Sequence, residues 1–278
     1  MISLFGPRYP YNLGYALSGG GAKGFAHLGA LKMLDKCGLE PDIIVGTSAG
    51  SLAGVFYADG YSPDEIAELF KGKEFRQFIE FTKPTAGFFK TTGLQSFLKN
   101  NLRAKSFEEL KIPFIAVATD WNRARAVTFS HGDFLIDAVV ASCSIPIIFY
   151  PQVINDVPYV DGGLLKNFPV SIIRNKCKYV VGVNVSLMIP PPEKINLKNM
   201  IERTFNLMAN SNTLIDRQLC DVLIETEGIE KYSMFDLNHS NEMMALGASC
   251  ASQKIMERGV QEIVNRCVSL KKKNHAKK

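Results

Sequence analysis

The sequence predicts an α/β fold: a mainly parallel sheet covered by helices on both faces. Three observations carry that expectation. Short β-branched and apolar runs alternate with longer helical patterns along the 278 residues. Two of those runs stop in glycine-containing turns that lead straight into a helix, at residues 19–24 and 46–50. The composition, 46% hydrophobic and 21% charged, supplies a sizeable core and excludes a disordered chain.

Taken in order, residues 15–17 read as the end of a short strand, stopped by Gly19, Gly20 and Gly21. A helix is expected over 22–36, with Ala26, Ala30, Leu31 and Leu34 on one face and Gly38 as its stop. Ile43, Ile44 and Val45 form a short buried strand, and 49–57 a helix of small residues suited to close packing. Ser62, Pro63 and Glu65 mark a helix start with a cap, a proline at the first helical position and a capping box. Ser106 and Glu109 repeat the capping-box pattern. Strands follow over 112–119 and 126–130, then a helix over 133–142 that ends before Pro146. Tyr159 and Val160 form a short strand, and 179–185 is β-branched enough to be a central one. Pro190, Pro191 and Pro192 break the chain. Helical patterns fill 197–219 and 241–268, with a strand near 222–226 between them. No repeat or linker is visible, so 1–278 reads as a single domain. Its motifs lie in 13–185, a helical portion spans 193–270, and a basic tail covers 271–278.

The net charge of +5 belongs to that tail, which holds five lysines; the rest of the chain is formally neutral. A basic tail can attract an anionic surface, but a solvated chain end is the simpler account. No nucleic-acid partner is implied. The start lacks an apolar run suited to a secretory signal, and no 18-residue apolar stretch marks a membrane span. A cytoplasmic protein that visits a membrane surface is therefore expected. The six cysteines are scattered without a CxxC pair and read as reduced core residues. Neither they nor the four histidines show ligand spacing, so no metal or other cofactor is expected.

Two turns carry chemistry. Gly46, Thr47, Ser48, Ala49 and Gly50 fit the G-x-S-x-G elbow, between a strand and a helix as its mechanics require. Gly19, Gly20, Gly21, Ala22, Lys23 and Gly24 also join a strand to a helix, where consecutive glycines and a helix N-terminus make an anion site. That site suits a phosphate or the oxyanion of an acyl intermediate. A dinucleotide site wants an acidic residue at the end of the second strand, whereas Asp42 precedes its strand. A P-loop wants Lys and Ser or Thr after the last glycine, where Phe25 stands. The oxyanion account also gives Ser48 a purpose. A serine nucleophile needs a base. His239 alone lies late enough for the usual order of α/β-hydrolases, but its polar setting reads as an exposed loop, and His27 reads as a packing residue. Asp161, followed by Gly162 and Gly163, ends a short strand in a sharp turn and is the better candidate.

These three motifs stand in the order and rough spacing of the patatin-like phospholipases, which the chain resembles over about residues 13–185. Residues 24–31, 141–146 and 167–170 resemble the family's first helix and the stretches either side of its catalytic aspartate. One departure is Ile147, where the family often has glycine after the proline; it is expected to narrow or reshape the acyl pocket. The resemblance implies a three-layer α/β/α fold and a Ser48–Asp161 dyad without histidine. It also implies an oxyanion hole at residues 19–24, with Gly20, Gly21 and Ala49 as donors, and no cofactor. Lys23 matches a basic position that anchors the loop or meets an anionic head group. The substrate is then a lipid or other acyl ester. The competing functions are a soluble carboxylesterase or thioesterase with the same dyad, and a lipid-binding regulatory protein. Residues 70–103 hold seven phenylalanines interleaved with Lys and Arg, which suits either a mobile cap facing lipid or an ordinary helical excursion that fills the core.

Overall fold

The computed structural model describes residues 9–82, 86–192 and 194–275. Strands are β1 (Tyr11–Leu17), β2 (Ile43–Thr47), β3 (Glu80–Phe81), β4 (Gly87–Lys90), β5 (Phe114–Asp120), β6 (Arg125–Phe129), β7 (Ile147–Phe149), β8 (Gln152–Ile154), β9 (Val157–Asp161), β10 (Cys177–Asn184) and β11 (Val222–Glu225). Helices are α1 (Phe25–Lys36), α2 (Ala49–Ala58), α3 (Pro63–Phe70), α4 (Thr92–Asn101), α5 (Leu135–Ser142), α6 (Val170–Arg174), α7 (Leu197–Ser211), α8 (Leu214–Gln218), α9 (Ser240–Met256) and α10 (Arg258–His275).

The main sheet runs β11-β10-β1-β2-β5-β9-β8, with β6 also on β5. The pairs from β11 to β5 are all parallel, and β6, β8 and β9 join antiparallel. Its central strands β2 and β5 are buried on both faces, with the period of two that a pleated strand imposes. Leu13, Tyr15 and Leu17 of β1 pack with Ile44, Phe114, Ala116, Val181 and Val183 beneath α1, α2, α5, α9 and α10. Ala16, Val45, Ile115 and Val117 face the other way, against Val170 and Ile173 of α6. The result is an α/β/α protein with a mainly parallel centre, as the alternation of elements predicts.

Register along β5 positions the site. Its residues 116–120 pair with β6 on one edge. On the other edge β2 ends with Thr47 opposite Val117, and β9 arrives antiparallel and ends with Asp161 opposite Ala118. Two strands thus meet head-on along one edge, and the residue after Thr47 must emerge beside Asp161.

Several details differ from expectation. Ser62 does cap α3 with the anticipated box, Glu65 Oε2 accepting the Ser62 amide at 2.7 Å. Ser106 does not start a helix: only a 3-10 turn at Phe107–Glu109 follows, and Glu109 accepts the Lys105 amide at 2.8 Å instead. Pro113 explains this, because it pushes the preceding residue out of helical geometry just ahead of β5. Residues 21–24 form a 3-10 turn, so α1 begins only at Phe25. A second, three-stranded sheet, β3-β4-β7, was not legible because strands of two to four residues show no periodicity. The phenylalanine-rich stretch divides its residues. Phe70, Phe78 and Phe97 form an aromatic cluster with Phe56, with ring centroids 4.9 Å apart for Phe70 and Phe97. Phe81 and Phe88 stay 78% and 40% exposed. Lys83 lies outside the described residues. At the other end α10 continues through Lys271 to His275, so this part of the basic tail is helical; residues 276–278 lie outside the described set.

Candidate active site

Ser48 joins β2 to α2 with φ 52° and ψ −121°, a backbone conformation that non-glycine residues rarely hold. Such strain persists only where neighbours over-determine it. A methyl group on Gly50 would run into the Leu17 carbonyl, and Gly46 packs against the backbone of Gly50 in the same way. Thr47 Oγ1 donates to the Lys166 carbonyl at 2.8 Å, and the Ser48 amide donates to Ser142 Oγ at 2.8 Å. Ser142 Oγ in turn donates to the Val117 carbonyl at 2.6 Å. The serine is therefore held from β5, and the N-terminal end of α2, beginning at Ala49, points its positive dipole at it.

Ser48 Oγ donates to Asp161 Oδ2 at 2.6 Å. The other carboxylate oxygen, Oδ1, accepts the Gly163 amide at 2.7 Å across the turn that Gly162 opens. The Asp161 backbone is pinned as well: its amide donates to the Ser144 carbonyl at 2.8 Å, and its carbonyl accepts from Thr119 Oγ1 at 3.1 Å. Asp161 is wholly buried. Burial pushes its carboxyl up to about 7, against the opposing pull of the hydrogen bonds from Ser48 and Gly163.

No histidine bonds to either residue among the described residues. His27 is buried, donates Nε2 to the Ser18 carbonyl at 2.8 Å, and is held neutral by burial, which lowers it to about 4. His131 pairs with Ser130, and His239 with Asp236, both at exposed positions.

The glycine-rich run divides its labour. Gly19 donates its amide to the Asn167 carbonyl at 2.9 Å, and Ala22 donates to the Met234 carbonyl at 2.8 Å. Lys23 donates its amide to the Gly20 carbonyl at 3.3 Å, and Gly24 packs against Ala49. No hydrogen bond to another described residue engages the amides of Gly20 or Gly21. Gly21 must be glycine on two counts: its φ is +60°, and a Cβ would strike the Met234 carbonyl. The Lys23 side chain is buried, not displayed to solvent. Burial lowers its ammonium, and the nearby carboxylates of Glu202 and Glu230 raise it again.

Ser48 opens into an apolar cavity of about 150 Å³. Phe25, Leu28, Leu52, Ile66, Phe70 and Leu94 belong to its wall, as do Cys143, Ile145, Phe149 and Met234. Its lining is that of a site for an apolar ligand. Ile147 is not part of that wall. It is 60% exposed and opens β7 with φ 73°, so it neither narrows nor reshapes the cavity. The positive φ is itself a physical reason for glycine there.

Sequence reasoning gave no role to Ser142, Ser144, Thr119 or Cys143. The run of small polar residues just before Pro146, at the end of a helix, was the available signal. Cys143 lines the cavity beside the dyad, and burial together with the Asp161 charge raises its thiol well above the ordinary value.

Fold and cavity together define a class: an α/β protein with a serine on a strand–helix elbow, a carboxylate against it, and an apolar chamber in front. Comparison with known proteins is more particular. The patatin-like phospholipase profile matches residues 15–173, more than half of the chain, and the chain belongs to that family. It is 32% identical over 177 residues to an uncharacterized NTE family protein of Mycobacterium tuberculosis, covering 63% of this chain and 47% of that one. It is also 32% identical over 182 residues to the lysophospholipase NTE1 of Kluyveromyces lactis, covering 62% of this chain and 12% of that one. The chain thus spans about half the length of the first relative and a small part of the second. The crystal structure of VipD from Legionella pneumophila shares the fold, with a TM-score of 0.55 at 13% identity over 88% of this chain and 67% of that one. No helix among the described residues is long and apolar enough to cross a membrane.

Proposed function

We propose that the protein is a lipid acyl hydrolase of the phospholipase A or lysophospholipase type, working through a Ser48–Asp161 dyad. One observation carries this: the 2.6 Å hydrogen bond from Ser48 Oγ to a buried carboxylate whose own proton affinity is raised to about 7. A base tuned near the working pH removes a serine proton best.

The steps balance without a cofactor. Ser48 Oγ attacks the ester carbonyl carbon while its proton passes to Asp161 Oδ2. The carbonyl π electrons move to oxygen, and the amides of Gly20 and Gly21, with that of Ala49, hold the resulting oxyanion. As the intermediate collapses, the bond to the leaving alcohol breaks and Asp161 returns the proton to that oxygen. Water, deprotonated by the same carboxylate, then attacks the acyl-enzyme; as that second intermediate collapses, Ser48 Oγ leaves and takes the proton back from Asp161, which frees the fatty acid. The acyl chain occupies the apolar cavity. Similarity to a protein named a lysophospholipase supports a single-chain lipid as substrate.

A fluorophosphonate probe tests this. It is expected to label the wild type at Ser48 and to leave Ser48→Ala unlabelled. Labelling elsewhere, or none, removes the proposal. A panel of esters of rising chain length separates a lipid hydrolase, whose kcat/KM climbs with length, from a soluble esterase, whose kcat/KM does not.

A further inference from the structure

The helix α7 lies beyond the stretch that the family profile matches, yet it reaches both halves of the site. In its second turn, Glu202 accepts the Met234 amide at 2.8 Å and Ser233 Oγ at 3.1 Å. Met234 then takes the Ala22 amide on its carbonyl, which sits where a side chain on Gly21 would go. At the C-terminal cap of α7, Asn212 Nδ2 donates to the Gly163 carbonyl at 3.0 Å, and its Oδ1 accepts the Asn167 amide at 2.8 Å. The Asn167 carbonyl in turn takes the Gly19 amide at 2.9 Å.

One rigid element therefore stands behind both the glycine loop and the turn after Asp161. The separation of Glu202 from Asn212 along it is about 15 Å at helical rise. We infer that α7 is the strut that sets the oxyanion amides at their distance from the dyad, with Glu202 and Asn212 as positioning residues. This rests on the Ser48–Asp161 mechanism. Neither side chain touches the reacting atoms; each acts through a backbone relay one residue deep. Oxyanion donors lose their effect when displaced by a fraction of an ångström, so a relay of short hydrogen bonds into a helix is the physical means of holding them.

A competing role for Glu202 is that of counter-charge. It lines the same small side cavity as the buried Lys23, together with Gly20, Asn167, Asn206 and Met234. Two conservative variants separate the roles. Glu202→Gln keeps an acceptor for the Met234 amide and removes the charge. Glu202→Asp keeps the charge and withdraws it by one methylene. With a soluble short-chain ester, Glu202→Gln is expected to stay within threefold of wild-type kcat. Glu202→Asp is expected to lose roughly tenfold or more in kcat, with KM changed less than twofold. Asn212→Ala is expected to behave like Glu202→Asp.

Amide hydrogen exchange gives a readout that needs no catalysis. Glu202→Asp should speed exchange at Ala22, Asn212→Ala should speed it at Asn167 and Gly19, and Glu202→Gln should change neither. Wild-type protein that never labels at Ser48 refutes the dyad while the exchange data still judge the strut. An active wild type in which Glu202→Asp keeps full kcat and unchanged exchange overturns the strut. So does the reverse order, with Glu202→Gln impaired and Glu202→Asp intact, which would make the charge opposite Lys23 the functional feature.

Discussion

Residues 15–173 and the helices from α7 onward serve one site in opposite ways. The first region carries every residue proposed to touch the reacting atoms: Gly20, Gly21, Ser48, Ala49 and Asp161. The second carries none, but it supplies Glu202, Asn212 and the Met234 carbonyl that seat those residues. Chemistry demands a particular atom at a particular place, so the first region shows motifs. Support demands only a surface and a few hydrogen bonds that many sequences provide, so the second shows helical periodicity and no motif.

The largest expected effects fall on the first region. Asp161→Asn should lower kcat/KM on a lipid ester by roughly 10⁴-fold, as loss of a base does elsewhere. A smaller loss at Asp161 than at Glu202 would invert the comparison.

The same substitution sharpens it from the side of stability. In the folded protein the Asp161 carboxyl ionises near 7, whereas in the unfolded chain it does so near 3.9. Its folded value is raised, so its contribution is fully present below about pH 4 and is lost as pH rises towards 7. The wild type therefore carries a buried charge at pH 8 that costs up to about 4 kcal/mol, at 1.36 kcal/mol per unit. Asp161→Asn is expected to raise Tm over wild type at pH 8, with the gain shrinking towards pH 4. Thermal melts across that range check this, and a gain that is constant with pH would show that burial does not tune the carboxyl.

A smaller effect is expected at the edge of the site. Phe81 and Phe88 are exposed on the small sheet, while Phe89 packs inward with Phe149 and Ile148. Replacing Phe81 and Phe88 together by Ser should cut turnover on anionic vesicles several-fold and leave a soluble short ester unchanged. Equal losses on both substrates would show that these rings serve packing and not a lipid surface. The smallest effect concerns Ile147. Ile147→Gly relieves a β-branched residue at φ 73° and is expected to add about 1 kcal/mol of stability without changing chain-length preference.

Much of this was legible in the sequence, for identifiable reasons. Val45-Gly46-Thr47-Ser48 shows a strand running into an elbow, because a glycine-flanked serine there has few other uses. Asp161 was legible only in company, since Asp-Gly is also an ordinary turn; what places it is the register of β2 and β9 along β5, which no local pattern encodes. Ser142 escaped notice because its hydrogen bonds, to the Ser48 amide 94 residues away and to the Val117 carbonyl, follow no local pattern. The short strands of the second sheet escaped for lack of length. Ser106 misled because a capping-box pattern does not make a helix when Pro113 follows so soon, and its side chain makes no capping hydrogen bond.

The central claim is that Asp161 activates Ser48. The most direct test is the rate of fluorophosphonate labelling against pH, with the modified peptide identified by mass spectrometry. The account predicts labelling at Ser48 whose rate rises through about pH 7 and then levels, and a slow, nearly pH-independent rate in Asp161→Asn. A wild-type rate that is flat from pH 5 to 9, or one unchanged in Asp161→Asn, would contradict it.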